Sequence, residues 1–224
     1  MYKSKKILAF IPARAGSKRL IGKNKKELNG KPLFEYSIEV AKQSKYIDDI
    51  LMSSDSPEIL KRSHQLGCIK NELRPTELSG DNARIVDAII YEVKENKLEY
   101  DAVVLLQPTF PIRTVEMLDE AIEKYFQKES SLITVVKVKE QPLMMRRIVN
   151  GKLVKIIDTS SDIRSQDFPT IYKIIGCIYI NNLHTLKSSD VLNENEIPFI
   201  IDNKYDMDID TLEDFQRVER FINR

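Results

Sequence analysis

Apolar runs and helical stripes take turns along this chain. Ile7 to Ile11 is a short unbroken apolar run, the pattern of a strand covered on both faces. From Pro32 to Lys45 the apolar positions fall at helical spacing. Leu33, Ser37 and Val40 form one row, with Phe34, Ile38 and Ala41 beside it. Asp49 to Ser53 predicts a second strand. Ser56 followed by Pro57 is an N-cap with proline at the first helical position, opening a helix to about Leu66. Cys68 to Lys70 predicts a further short strand. Ala83 to Asn96 predicts a helix with Ile85, Ala88, Ile89 and Val93 on its inner face. A buried strand at Asp101 to Leu106, a helix at Thr114 to Phe126 and a strand at Ser131 to Val138 follow. Repeated βα units imply an α/β fold with a mostly parallel sheet. Ligands of such sheets lie at the carboxyl ends of the strands. The loops after residues 7–11, 49–53 and 101–106 are therefore expected to converge on one site.

Near Glu140 the pattern changes. Gln141 to Phe168 has no helical period, carries the hairpin signal Asn150-Gly151, and ends in a polar stretch from Asp158 to Asp162. It reads as a β-rich arm inserted at about 140–170 into a single domain spanning 1–224, or as a surface loop. Strand patterns resume at Ile174 to Ile180 and at Phe199 to Ile201. Leu212, Phe215, Val218 and Ile222 mark a closing amphipathic helix, and Thr211 with Asp214 resembles a capping box at its start.

The formal net charge of the 224 residues is +1. Without a basic excess, nucleic acid is disfavoured as a partner, and any phosphate ligand must be held by local cations. Cys68 and Cys177 stand far apart in apolar surroundings and read as buried thiols. His64 and His184 are isolated, which leaves no zinc site or Ser-His-Asp triad. The first apolar run is too short for a secretory signal, and none approaches a membrane span. The expectation is a soluble cytoplasmic protein with no membrane partner.

Against that neutral background, Arg14, Lys18, Arg19 and Lys23 crowd around Gly16, Ser17 and Gly22 directly after the first strand. Glycines allow a tight backbone with inward N–H groups, and the cations add charge, a combination suited to a polyphosphate. The spacing is neither a Walker loop nor a dinucleotide-binding fingerprint. A solvated basic loop is the alternative. A second cluster is Asp206, Asp208 and Asp210. In extended chain, residues two apart face the same way, so Asp208 and Asp210 project together and suit Mg²⁺; a helix cap with solvated neighbours is the alternative. Between the prolines of the 107–113 segment the backbone is stiff, presenting Gln107 and Arg113, and Gln107 offers donor and acceptor to a sugar. Arg74, ahead of the polar loop Leu78 to Asp81, suits a nucleobase carbonyl or a phosphate.

Together these pieces resemble the acylneuraminate cytidylyltransferases, the CMP-sialic acid synthetase family, including its pseudaminic and legionaminic acid members. The matching segments run in order: Ile11 to Lys18, Lys23-Asn24, Gly30 to Leu33, Ser54 to Ser56, Arg74-Pro75 with Glu77, Leu78 and Asp81, Leu106 to Thr109, Gly176 to Ile180, and Asp208 to Thr211. The resemblance implies a Rossmann-like three-layer α/β fold, a homodimer with a protruding arm, CTP as co-substrate, Mg²⁺ as metal, and a nonulosonic sugar acid as acceptor. It further implies that Arg14, Lys18, Lys23 and Asn24 contact the triphosphate, that Arg74 with Ser79, Asp81 and Asn82 holds the cytosine end, and that Gln107 meets the sugar. Asp208 and Asp210 would hold the metal, and Arg164 matches the arm arginine with a one-residue offset. The chain departs from the family pattern at Ile175, Phe110 and Met144, positions the resemblance puts on the sugar side. Two other readings share these motifs: a different sugar nucleotidyltransferase, such as one acting on 3-deoxy-manno-octulosonate, and a catalytically inactive nucleotide-binding homologue.

Overall fold

A computed structural model describes residues 2–158, 164 and 167–223. Strand β1 (Ile7–Pro12) runs through the interior because both of its faces are apolar. Ile7, Ala9 and Ile11 join one core cluster, while Leu8 and Phe10 join the cluster on the opposite face. A hairpin, β2 (Glu27–Leu28) and β3 (Lys31–Pro32), precedes helix α1 (Leu33–Gln43). Then come β4 (Asp49–Ser53), α2 (Pro57–Gln65), α3 (Ile85–Glu95), β5 (Ala102–Leu105), α4 (Val115–Lys128) and β6 (Leu132–Val138). The second half adds β7 (Arg146–Val149), β8 (Lys152–Lys155), β9 (Ile171–Asn182), β10 (Ile197–Ile201) and α5 (Leu212–Ile222).

Six strands form one sheet in the order β10-β6-β9-β5-β1-β4. β1 pairs in parallel with β4 and β5, β6 pairs in parallel with β10, and β9 runs antiparallel between β5 and β6. Apolar faces of α1, α2 and α4 cover one side through Phe34, Ile38, Ile59, Leu60, Leu118 and Ile122; Ala88 and Ile89 of α3 cover the other. Burying each such side chain stabilises the fold by roughly 1.5–3 kcal/mol. The result is the α/β architecture that the alternating pattern predicts, in the three layers that the resemblance implies. Helix starts follow local chemistry as well. Ser56 accepts from the Ile59 amide, Thr114 from the Met117 amide, and Thr211 with Asp214 forms a full capping box, each cap contributing about 1 kcal/mol.

A third cluster seats α5 on the β2–β3 hairpin, with Phe215 and Val218 against Leu28, Leu33 and Ile209. The hairpin turn places Asn29 and Gly30 at positive φ, the conformation a two-residue turn requires. Asn150 and Gly151 do the same between β7 and β8, which form a separate two-stranded sheet. In that hairpin Ile148 and Leu153 face each other and are about three-quarters exposed. The expected strand at Cys68 to Lys70 is absent. That segment touches the edge of β4 through one backbone bond, Ile69 N–H to Ile50 O (2.8 Å), and then leaves the sheet towards Arg74. Cys68 and Cys177 are buried free thiols, and burial pushes the Cys68 thiol up to about 12.

Candidate active site

The loops after β1 and β5 meet the segment between α2 and α3 in one cleft of roughly 290 Å³, lined by Arg14, Gly16, Ser17, Lys23, Asn24, Arg74, Ser79, Asp81 and Gln107 among others. The loop after β4, expected there too, does not line it and supports it from behind. After Pro12 the chain is still tied to β4, with Ala13 N–H bonded to Ser53 O (2.9 Å) and Ser54 Oγ donating to Ala13 O (2.5 Å). Gly22, at positive φ, then turns the chain into a short 3-10 turn at Lys23–Lys25. That turn buries Lys23 and Asn24. Asn24 Nδ2 donates to Arg14 O (2.8 Å), so its amide clamps the loop across its width. Asp55 accepts from Ala15 N–H (2.6 Å) and fixes the loop from the β4 side.

Each loop cation has a carboxylate partner. Arg14 (3.1 Å) and Lys18 (2.5 Å) pair with Asp81, while Arg19 (2.9 Å) and Lys23 (3.0 Å) pair with Asp210. The two cations hold the Asp81 carboxyl below its usual range, Lys18 most strongly. Lys23 also donates to Ile209 O (2.7 Å), which makes it a strut between the amino-terminal loop and the acidic segment. Lys18, Asp208 and Asp210 do not line the cleft themselves; Lys18 and Asp210 are each paired to a residue that does, Asp81 and Lys23. Lys18 itself is largely exposed at the rim.

In the acidic segment, Ile209 points into the third core cluster and Asp208 and Asp210 project on the other side, the alternation expected of extended chain. Ile209 N–H bonds to Thr109 O (2.9 Å), which ties the segment to the loop that carries Gln107. Burial raises the Asp208 pKa, opposed by a hydrogen bond from Thr109, and Asp210 raises it further. Asp208 Oδ1 is buried and makes no hydrogen bond. An orphaned buried carboxylate oxygen beside a second carboxylate fits a hard cation. Among the described residues no cluster of three or more His, Cys, Asp or Glu side chains forms, so a cation here would take its remaining ligands from phosphate and water.

Arg74 is buried, its backbone N–H bonded to Ser54 O (2.8 Å) and its Nε to Ser79 Oγ (3.2 Å). Burial lowers its pKa, and Asp55 and Glu92 counter this. Glu92 anchors a layer behind the cleft. It accepts from Ser53 Oγ (2.7 Å), Asn71 Nδ2 (3.1 Å) and Asn96 Nδ2 (3.1 Å), and burial raises its pKa against those bonds. Sequence reasoning missed this layer, whose members are spread over β4, the loop holding Asn71, and α3 with its C-cap Asn96. Asn82 is exposed and does not line the cleft. Arg164 is exposed as well, its carbonyl accepting from Asp167 N–H (2.9 Å).

A second cavity of roughly 360 Å³ adjoins the first, and both share Ile85 and Gln107. Arg84, Tyr179 and Asn193 line it. Arg84 donates to the carbonyls of Ser188 and Asp190, and Tyr179 OH donates to Asn193 Oδ1 (3.0 Å). All three departures from the family pattern lie outside the linings of these two cavities. Ile175 and Phe110 are buried core residues and line neither cavity, and Met144 is exposed at the base of the β7–β8 hairpin. Arg113, expected to be presented by a stiff turn, is fully buried. Three neutral acceptors hold it: Cys177 O (2.8 Å), Gln107 O (3.0 Å) and Ser37 Oγ (3.2 Å).

Comparison with known proteins finds this arrangement in named company. The cytidylyltransferase family profile matches residues 8–221. The chain is 34% identical to the CMP-N,N'-diacetyllegionaminic acid synthase of Legionella pneumophila, covering 97% of this chain and 96% of that protein. It is 30% identical to a pseudaminic acid cytidylyltransferase of Campylobacter jejuni, over 94% of both. A solved structure of CMP:2-keto-3-deoxy-manno-octonic acid synthetase complexed with CTP shares the fold, with a TM-score of 0.73 at 17% identity, covering 97% of this chain and 98% of that one.

Proposed function

Since the chain belongs to the cytidylyltransferase family, we propose that it transfers CMP from CTP to the anomeric hydroxyl of a nonulosonic, sialic-acid-like sugar acid and releases pyrophosphate. The observation that carries this reading is the meeting of the basic loop, Arg74 and Gln107 in one cleft, with Lys23 reaching from that loop to Asp210. The anomeric hydroxyl attacks the α-phosphorus and pyrophosphate leaves in line. Such transfer depends mainly on positioning and charge stabilisation.

In this scheme Arg14, Lys18 and Lys23 neutralise the leaving pyrophosphate, and Asn24 keeps the loop closed around it. Arg74 and the 79–82 loop face the cytosine end. Gln107, on the wall between the two cavities, meets the sugar acid in the second one. Asp208 and Asp210 would hold Mg²⁺. Bound there, the ion would neutralise phosphate charge and acidify the attacking hydroxyl. The exposed apolar hairpin β7–β8 is read as an arm that docks on a second copy, giving a homodimer to which Arg164 contributes. Among the described residues no helix is long and apolar enough to cross a membrane, and a biosynthetic enzyme of this kind is assigned to the cytoplasm.

The test is pyrophosphate release from CTP, UTP and dTTP against a panel of nonulosonic acids and 3-deoxy-manno-octulosonate, with and without Mg²⁺. Release that requires CTP and a nonulosonic acid is the expected result. A preference for another nucleotide or for the octulosonate refutes the assignment, as does inactivity throughout.

A further inference from the structure

The ladder between β6 and β9 is broken next to Gln107. Val135 pairs with Ile174 and Ile133 with Tyr179, so four residues of β9 (175–178) lie opposite the single residue Thr134 of β6. Thr134 fills the gap. Its Oγ1 donates to Ile178 O (2.8 Å) and accepts from Ile178 N–H (2.9 Å). Bulges of this kind bend a strand and re-aim its groups, often beside an active site. Gly176 lies inside this one.

No left-handed backbone explains the glycine, because its φ lies outside that range. Space explains it. A Cβ at Gly176 would stand 2.4 Å from Gln107 Oε1, 3.0 Å from Gln107 Cδ and 3.0 Å from Phe110 Cε2. Each of the other six glycines has open space within 4 Å of the same position. Gln107 therefore lays its carboxamide over the one backbone site where a side chain is sterically excluded.

The other end of Gln107 is held by Arg113, which donates from one terminal nitrogen to Gln107 O and from Nε to Cys177 O, the carbonyl next to Gly176. Burying a guanidinium among neutral acceptors alone is unfavourable. Here it joins the Gln107 loop to the bulge.

We propose that Gly176 is a positioning residue for the acceptor: its missing side chain seats the Gln107 carboxamide on the wall shared by the two cavities, where the sugar acid binds. This rests on the cytidylyltransfer reading above. The nearest atom to a new Cβ is the far end of a flexible side chain, so the larger displacement falls on Gln107, while the buried Phe110 ring must give by a few tenths of an ångström.

The experiment is Gly176→Ala. The KM for the sugar acid should rise about tenfold, the loss of one well-placed hydrogen bond. The KM for CTP should stay within about twofold, and the protein should remain folded with any fall in melting temperature reflecting the Phe110 contact. In a Gln107→Ala background, Gly176→Ala should leave the acceptor KM unchanged, since no carboxamide remains to displace. A crystal structure of Gly176→Ala should show the carboxamide moved by about 1 Å, the difference between 2.4 Å and ordinary contact. An unchanged acceptor KM, an equal rise for CTP, full additivity with Gln107→Ala, or an unmoved Gln107 overturns the proposal. Wild-type turnover with the acid panel tests the acceptor reading separately, and the crystal structure decides the seating of Gln107 without any turnover.

Discussion

Lys23→Met isolates the strut between the basic loop and the acidic segment. The Lys23 side chain is 11% exposed, with Nζ 2.7 Å from Ile209 O and 3.0 Å from Asp210 Oδ1. Methionine keeps the length and the apolar stem and removes only the ammonium. A hydrogen bond from a charged donor contributes about 1.5–3 kcal/mol. The ion pair is discounted towards the surface range of about 0.2–1 kcal/mol, because Asp210 is 31% exposed and keeps Arg19. The sum is about 2–4 kcal/mol. In a domain of this size each kcal/mol moves the melting temperature by about 2–4 °C, so a fall of about 4–16 °C is expected. The same change removes a cation from the triphosphate site and should raise the KM for CTP about tenfold or more. Calorimetric scans with a CTP titration read both effects. A melting temperature within about 2 °C of wild type refutes the strut, and a preserved KM for CTP refutes the phosphate role.

Asp210→Ala should lose most turnover, about 100-fold, while nucleotide binding survives better; wild-type turnover at ordinary Mg²⁺ ends the metal assignment. Glu92→Gln probes the layer behind Arg74. Burial raises the Glu92 pKa above its ordinary 4.5, so the wild type loses stability as pH climbs from there through the folded value. The variant does not titrate, and its melting temperature relative to wild type should become more favourable across that window; a difference independent of pH refutes the argument. Ile148→Asp or Leu153→Asp should convert a dimer to a folded monomer in sedimentation velocity, since both side chains are exposed and their loss leaves the core intact. A dimer that persists refutes the arm's role.

Periodicity carried the scaffold. The β4 bounds, the Ser56-Pro57 start and the α5 capping box stand where the local pattern put them, because each depends on neighbours a few residues away. The β2–β3 hairpin escaped because two-residue strands have no period, although Asn29-Gly30 was a turn signal. Arg113 was read as presented with Gln107 by a stiff turn, and only the folded loop reveals the three carbonyl and hydroxyl acceptors that hold it inside. Ile175 and Phe110 went to the sugar side by analogy; both are buried in the core, Ile175 in the β9 bulge and Phe110 in the loop after β5. The basic loop and the acidic pair were legible as clusters. Their junction through Lys23 was not, since it links positions 187 residues apart.

That separation has a consequence for how the molecule is made. At ribosomal speeds of about 5–20 residues per second, Lys23 is synthesised some 10–40 s before Asp210 exists. Throughout that interval the nascent loop lacks both acceptors of its buried ammonium. The nucleotide cradle is thus a late product of translation, and it closes only when the segment leading into α5 has emerged and docked on the β2–β3 hairpin.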